Sequence, residues 1–159
     1  MKTTTTTDKS LLKRRILEAA KQKQEQVIND FRQRIKDAIS TDGNVNEEEY
    51  DNHKQSFQAG ILAEVDLLNH ELEFVNQELE ELKRIENFSD TIHQEVEPGS
   101  LVVTDKKTFL VSVSIEMFEL DGKAIYGIST DSPLYKAMKG KKAGEAFFFQ
   151  TAYLIKEIF

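Results

Sequence analysis

Seven apolar residues recur at alternating spacings of four and three along the middle of the chain. They are Ile61, Val65, Leu68, Leu72, Val75, Leu79 and Leu82. Such a repeat places its members on one stripe of a helix, and this stripe is the a and d seam of a left-handed coiled coil. The repeat therefore predicts a long helix whose apolar stripe faces another helix.

A looser apolar stripe precedes this helix and is its expected partner. Its members are Leu12, Ile16, Ala20, Val27, Phe31, Ile35 and Ala38. Lys23 and Gln24 interrupt the stripe, so the first helix has an apolar face of lower quality. We expect the two stripes to pack together within one chain. The alternative is a coiled-coil assembly protein, in which the Ile61 to Leu82 seam pairs between chains.

The segment STDGNVNEEEY between the two stripes has the features of a helix end followed by a helix start. Gly43 suits the position just after a helix C-terminus, and Asn46 with Glu49 suits a capping box. We therefore expect a helical hairpin over residues 10–86 with its tip at residues 41–47. The second helix would run from about Glu47 to Glu86, and residues 1–9 would form a flexible tail.

The residues that follow the hairpin lose the heptad and become strand-like. Residues 87–98, which end at the Pro of a Pro-Gly pair, indicate a linker. The runs SLVVT, KTFLVSVSI, AIYGIS and AFFFQTAYLIKEIF are rich in β-branched and aromatic residues, which is typical of strands. The sequence thus predicts an α+β fold in which the hairpin precedes a small antiparallel sheet domain at residues 99–159.

One short helix is predicted to interrupt these strands. It covers Ser132 to Met138, with Pro133 in its first turn. Either Ser129 or Ser132 has the side chain that an N-cap requires. The sequence alone does not decide which of the two serines is the N-cap.

The charges of the chain are distributed unevenly, although its net charge is −7. Residues 1–40 carry ten Lys and Arg against five Asp and Glu, residues 41–86 carry three against thirteen, and residues 87–159 carry eight against ten. A basic first helix lying against an acidic second helix would account for this, and an electrostatic docking role is the alternative. Because binding to duplex DNA depends on neutralising many phosphates, we expect no direct contact of that kind.

Composition also limits the chemistry and the location of the protein. Cysteine is absent, which excludes disulfides, thiolate metal sites and cysteine nucleophiles. The sequence has no apolar leader and no window of about 18 apolar residues. We therefore expect a cytoplasmic protein without membrane contact.

The C-terminal half carries short motifs in a definite order. They are Ile128-Ser129, Ser132-Pro133-Leu134, Gly140-Lys141-Lys142 and Gly144-Glu145. Each motif alone is weakly specific. Their order, with a helical hairpin in front and an apolar strand after them, resembles the GreA/GreB family of bacterial transcript cleavage factors. The motifs cover about residues 98–159, the architecture covers nearly the whole chain, and the resemblance implies an FKBP-like fold for the C-terminal domain.

The resemblance implies an accessory factor of RNA polymerase rather than an enzyme. In this family the C-terminal domain docks beside the secondary channel of the polymerase, and the hairpin reaches the active centre. Acidic residues at the hairpin tip help to hold the second Mg²⁺ there and orient the water that cleaves backtracked RNA. Carried over to this chain, the tip carboxylates would be Asp42, Glu47 and Glu48, with Asp42 and Glu47 as ligands of a Mg²⁺ shared with the polymerase. Such a factor has no cofactor of its own, meets the RNA 3′ end only indirectly, and is expected to be a monomer.

The tip departs from the family pattern, which is approximately Gly-Asp-x-x-Glu-Asn-x-x-Tyr. Aligned without a gap on Tyr50, the chain has Gly43 at the Asp position and Asn46 at the Glu position. Asp42 and Glu47 offer carboxylates five positions apart rather than three, which needs a differently shaped loop. The glutamates that follow Asn46 also have a structural explanation, because acids in the first turn interact favourably with the helix dipole. Both cleavage and channel occupation without cleavage stay open, and we favour the second.

Docking would use the C-terminal motifs. Ser129, Ser132 and Pro133 form a turn that can present a rigid shape, and loops on rigid scaffolds commonly carry binding sites. Lys141 belongs to a basic loop that suits an acidic partner, although a solvated turn is an equal explanation. Phe148 points away from its two phenylalanine neighbours on a strand and would leave an apolar contact for a partner. A peptidyl-prolyl isomerase is a further alternative, suggested only by the FKBP-like fold.

Overall fold

The computed structural model describes residues 6–41 and 52–159. Two long helices, α1 (Thr6–Thr41) and α2 (Asn52–Glu86), come first. They are followed by β1 (Leu101–Thr104), β2 (Thr108–Ser112), β3 (Ile115–Leu120), β4 (Lys123–Ser129), α3 (Pro133–Met138), β5 (Ala146–Phe149) and β6 (Thr151–Ile158). The predicted α+β fold, a helical pair followed by a mostly antiparallel sheet with one short helix, is confirmed.

The described residues form two compact units. One unit contains the described residues up to Lys23 together with Glu78–Phe159, and the other contains the described residues of Gln24–Gln77. α1 begins at Thr6, inside the segment that the sequence assigns to a tail. Residues 42–51, which include most of the predicted tip and the predicted start of the second helix, lie outside the described residues.

In the unit formed from Gln24–Gln77, the heptad stripe is the buried side of α2. Leu68 and Val75 are 4% and 6% exposed, whereas Leu62 and Leu67, on other sides of the same helix, are 69% and 61% exposed. This contrast is typical of an amphipathic helix that packs along one stripe. Gln24, which interrupts the α1 stripe in the sequence, is nevertheless buried.

The sheet belongs to the other unit and has the strand order β3-β4-β2-β1-β6-β5. Its neighbouring strands are antiparallel except for β2 and β4, which pair in parallel with Ser112 opposite Ser129. The parallel pair departs from the wholly antiparallel sheet that the sequence predicts. It arises because the run KTFLVSVSI is not one strand: β2 ends at Ser112 and β3 begins at Ile115. β3 pairs with β4, and β4 then lies alongside β2. The last run is divided in the same way at Gln150, which has a φ of 58°.

Alternate side chains of the strands face two separate apolar clusters. On one face, Ile16, Leu17 and Ala20 of α1 and Leu82 of α2 pack with Leu101, Leu110, Val113, Ile115, Phe118, Ile125 and Phe159. On the other face, Tyr135 and Met138 of α3 pack with Val96, Val102, Phe109, Val111, Ile128, Phe147, Tyr153, Ile155 and Ile158. The first cluster therefore brings residues of early α1 and late α2 onto the same face of the sheet.

Ion pairs also connect α1 to the rest of this unit. Lys21 contacts Glu86 at 2.7 Å, and Arg14 contacts Asp90 at 2.6 Å. Ion pairs that solvent still reaches contribute about 0 to 1 kcal/mol each. Burying one leucine such as Leu17 contributes about 1.5 to 3 kcal/mol. Apolar packing therefore dominates the attachment of α1 to the sheet.

Candidate functional site

The predicted tip carboxylates lie outside the described residues. Asp42, Glu47 and Glu48 all fall between residues 41 and 52, as do Gly43 and Asn46. Their roles as catalytic carboxylates and Mg²⁺ ligands therefore stay predictions from the sequence.

The described part of the chain contains neither a candidate metal-binding group nor a candidate membrane-spanning helix. Within residues 6–41 and 52–159, no group of three or more His, Cys, Asp or Glu side chains could hold a metal ion. Across the same residues, no helix has an apolar stretch that would let it cross a membrane.

The Ser129–Pro133 turn joins β4 to α3, and hydrogen bonds within the turn fix its shape. Ser129 Oγ accepts a hydrogen bond from the Asp131 amide at 3.1 Å, and Ser132 Oγ accepts one from the Tyr135 amide at 3.1 Å. The Ser132 amide donates to the Ser129 carbonyl at 3.1 Å. Of the two caps that the sequence allows, Ser132 is the one that α3 uses. Pro133 is the first helical residue and is exposed, so a rigid turn presents it to solvent.

Four lysines lie on α3 and in the loop after it: Lys136, Lys139, Lys141 and Lys142. The backbone of this loop is well anchored, because Lys139 N donates to Tyr135 O at 2.8 Å and Val96 N donates to Lys141 O at 2.8 Å. Lys142 N donates to Glu145 Oε2 at 2.6 Å. Three of the four lysines are exposed, Lys141 is half-buried, and none forms an ion pair within the described ranges. The loop therefore presents positive charge on a fixed backbone.

Phe148 lies on β5, an edge strand, and its side chain is 71% exposed. Its neighbour Phe147 is buried and stacks on Tyr153, with ring centroids 5.0 Å apart. Because Phe147 belongs to the cluster that includes α3, Phe148 points to the opposite face of the strand. The structure thus places Phe148 on a different face from the turn with which the sequence groups it.

The remaining predicted docking residues come together around α3. We call this region the α3 surface and define it as the Ser129–Pro133 turn with the four lysines Lys136, Lys139, Lys141 and Lys142. The turn precedes the helix and the basic loop follows it, so the short helix joins a rigid polar turn to a positive loop. Such an arrangement suits a protein partner with an acidic surface.

The structure also shows a buried lysine, close to a histidine and a glutamate, that the sequence analysis did not find. Lys13 is 1% exposed, and its Nζ donates to the Thr91 carbonyl at 3.0 Å. Burial lowers the pKa of Lys13 to about 8, and the carboxylate of Glu97 partly opposes this shift. His93 Nδ1 lies 2.5 Å from Glu97 Oε1, beside a cavity of about 330 Å³. The available signal was that Lys13 lies one helical turn before Leu17, on the buried side of α1.

Comparisons with known proteins give similar structures but no family assignment. No family model matches the sequence, and no curated protein matches it. A solved structure of GreA factor homolog 1 (Gfh1) of Thermus thermophilus is 18% identical over 89% of this chain and 95% of that chain, with a TM-score of 0.33. Gfh1 of Thermus aquaticus is 16% identical over 89% of this chain and 94% of its own, with a TM-score of 0.32. At these values the similarities assign neither a family nor an activity.

Proposed function

We propose that this protein is an accessory factor of RNA polymerase that resembles GreA and GreB. The sheet domain docks on the polymerase, and the helical hairpin enters the secondary channel and modulates catalysis without supplying the metal ligands that cleavage needs. The observation that carries the proposal is the α3 surface, a Ser-Pro turn fixed by its own hydrogen bonds and followed by a basic loop. This surface belongs to a domain that follows a long helical pair, as the resemblance requires.

The lengths of the helices support this role. α1 has 36 residues and α2 has 35 described residues, so at 1.5 Å per residue each is roughly 50 Å long. Helices of this length are suited to reach from a docking site on a large enzyme into an internal channel. The proposed factor acts as a monomer, and light scattering is expected to give a mass near 18.2 kDa.

The charges of the α3 surface support an acidic protein partner rather than nucleic acid. Exposed lysines without ion pairs among the described residues are available for intermolecular contacts. They stand on a chain of net charge −7, which would be repelled by the continuous phosphate backbone of a duplex. A local positive patch on an acidic molecule instead favours an oriented encounter with one acidic region of a protein.

The docking test is a binding measurement between the full chain and purified bacterial RNA polymerase. We expect Lys136→Glu with Lys139→Glu to weaken binding at least about tenfold, which corresponds to about 1.4 kcal/mol. This variant keeps the N-cap of α3, because Ser132 is unchanged. The matched control is Lys106→Glu with Lys107→Glu, which reverses two exposed charges between β1 and β2 and should leave the affinity unchanged.

A second variant tests the turn itself. Ser132→Ala with Pro133→Ala is expected to weaken binding to the polymerase, whereas Ser114→Ala, at an exposed serine between β2 and β3, is expected to leave it unchanged. Circular dichroism establishes that each variant is folded before its affinity is compared. Unchanged affinity of folded turn and lysine variants would exclude the α3 surface as the docking site.

A further inference from the structure

A second cavity lies between α1 and the sheet, away from the α3 surface. It has a volume of about 370 Å³, within the range of about 300 to 1,000 Å³ that small-molecule pockets have. Leu12 and Ile16 of α1 form one wall, and Leu101, Leu120, Ile125 and Phe159 are among the residues of the opposite wall. Every one of these six side chains is apolar. Because unfilled apolar space forfeits dispersion contacts, a hydrocarbon group that entered it would be stabilised.

Of the three charged residues that line this cavity, the two carboxylates have ion-pair partners and the lysine has none among the described residues. Asp121 is paired with Arg15 at 2.8 Å, and Glu157 is paired with Lys9 at 3.2 Å. Lys123, which also lines the cavity, is exposed and forms no ion pair with any described residue. The pairs neutralise both carboxylates, so one ammonium group stays available beside an apolar space.

We propose that this cavity binds a small anionic amphiphile of the fatty-acid class. The hydrocarbon tail lies between α1 and the sheet, and the carboxylate lies beside Lys123. An apolar cavity with one charged group at its edge has the composition that such a ligand requires. The site is separate from the α3 surface, so the proposal is independent of docking to a polymerase.

The test is a calorimetric titration of the full chain with decanoate, below its micelle concentration. The comparison ligand is decyltrimethylammonium, which has the same length of tail and the opposite charge. We expect decanoate to bind and the cationic amphiphile to bind at least about tenfold more weakly, because Lys123 attracts the first and repels the second. Equal affinities for the two ligands, or no decanoate binding, would overturn the proposal.

Two substitutions separate the charge from the apolar cavity. Lys123→Glu is expected to weaken decanoate binding by roughly fivefold, since exposed ion pairs are weak, and to strengthen binding of the cation. Lys139→Glu, at an exposed lysine on the α3 surface, is the matched control and should leave both affinities unchanged. An equal loss of decanoate affinity in the two variants would contradict a role for Lys123.

The cavity itself is tested by filling it. Leu12→Phe should weaken both ligands, and Leu11→Phe, at the neighbouring residue that is 58% exposed, should weaken neither. In the unsubstituted chain, methyl NMR should show that decanoate shifts the signals of Leu101, Leu120 and Ile125. Binding without shifts at these three residues would place the ligand elsewhere and overturn the proposal, even if Leu12→Phe failed to fold.

Discussion

Gly127 of β4 lies opposite Ile115, the first residue of β3, and the packing there leaves no room for a side chain. A Cβ atom at this position would be 2.7 Å from Ile115 Cβ and 2.7 Å from the Val113 carbonyl oxygen. We expect Gly127→Ala to lower the free energy of unfolding by about 1 to 3 kcal/mol, as other overpacked sites do. Urea unfolding measures the change. The control is Gly60→Ala in α2, where nothing lies within 4 Å and stability should rise by roughly 0.5 to 1 kcal/mol.

Lys13 gives a prediction about pH. Its pKa is about 8 in the folded protein and 10.5 ordinarily, so between these pH values the unfolded chain binds a proton that the folded chain does not. The contribution of Lys13 to stability therefore rises as the pH increases from about 8 towards 10.5. Below pH 8 the buried ammonium destabilises the fold by up to about 3 kcal/mol.

The measurement compares the wild-type chain with Lys13→Met, which retains the length of the side chain but does not titrate. We expect the free energy of unfolding of the wild type, relative to that of Lys13→Met, to rise by about 1 to 3 kcal/mol between pH 7 and pH 10. Lys83→Met, at an exposed residue of α2, should show almost no such change. A difference that is independent of pH would mean that Lys13 keeps its ordinary pKa.

At the scale of single elements, α3 depends on its N-cap. Ser132→Ala removes the hydrogen bond from the Tyr135 amide and is expected to cost about 0.5 to 2 kcal/mol. Ser132→Asp should restore most of this loss, because a carboxylate accepts the same bond. Chemical unfolding of the three proteins tests the prediction, and an Asp variant as unstable as the Ala variant would show that the cap contributes little.

The elements that could be predicted from the sequence are those whose signals are local. The heptad from Ile61 to Leu82 gives the buried stripe of α2, and Ser132 followed by Pro133 gives the start of α3. The parallel pairing of β2 with β4 could not be predicted, because it depends on the position of the break between β2 and β3. The residue composition of the run does not indicate that position. The break around Val113 and Ser114 has no Gly or Pro to mark it, so one run of residues had to be taken for one strand.

Part of the candidate site could also be predicted from the sequence. Ser132 and Pro133 were found because a capping motif has a fixed spacing, and the strand period alone gave the opposite orientations of Phe147 and Phe148. The other docking residues gather around α3 because they directly precede or follow that helix in the sequence. Burial of Lys13 was missed because lysine is rarely fully buried, although its position one turn before Leu17 lies on the buried side of α1.

At the scale of the whole molecule, the proposal assigns docking and catalysis to different parts of the sequence. Variants at the α3 surface should change affinity for the polymerase, and variants at residues 42–47 should change only what the bound factor does. Asp42→Asn and Glu47→Gln are therefore expected to leave affinity unchanged. If these carboxylates were metal ligands, each substitution would reduce cleavage more than about tenfold, a loss above about 1.4 kcal/mol in transition-state stabilisation.

The decisive measurement is transcript cleavage on stalled elongation complexes. We expect the wild-type chain to stimulate cleavage weakly or not at all, because the sequence has Gly43 and Asn46 at the two positions where the family pattern has carboxylates. Gly43→Asp with Asn46→Glu supplies both carboxylates and should raise stimulation more than about tenfold, since carboxylate ligands complete a Mg²⁺ site. Gly43→Asn with Asn46→Gln is the uncharged control and should have no effect. Strong cleavage by the wild type that Asp42→Asn or Glu47→Gln abolishes would show instead that this tip holds the metal with its own, differently spaced acids.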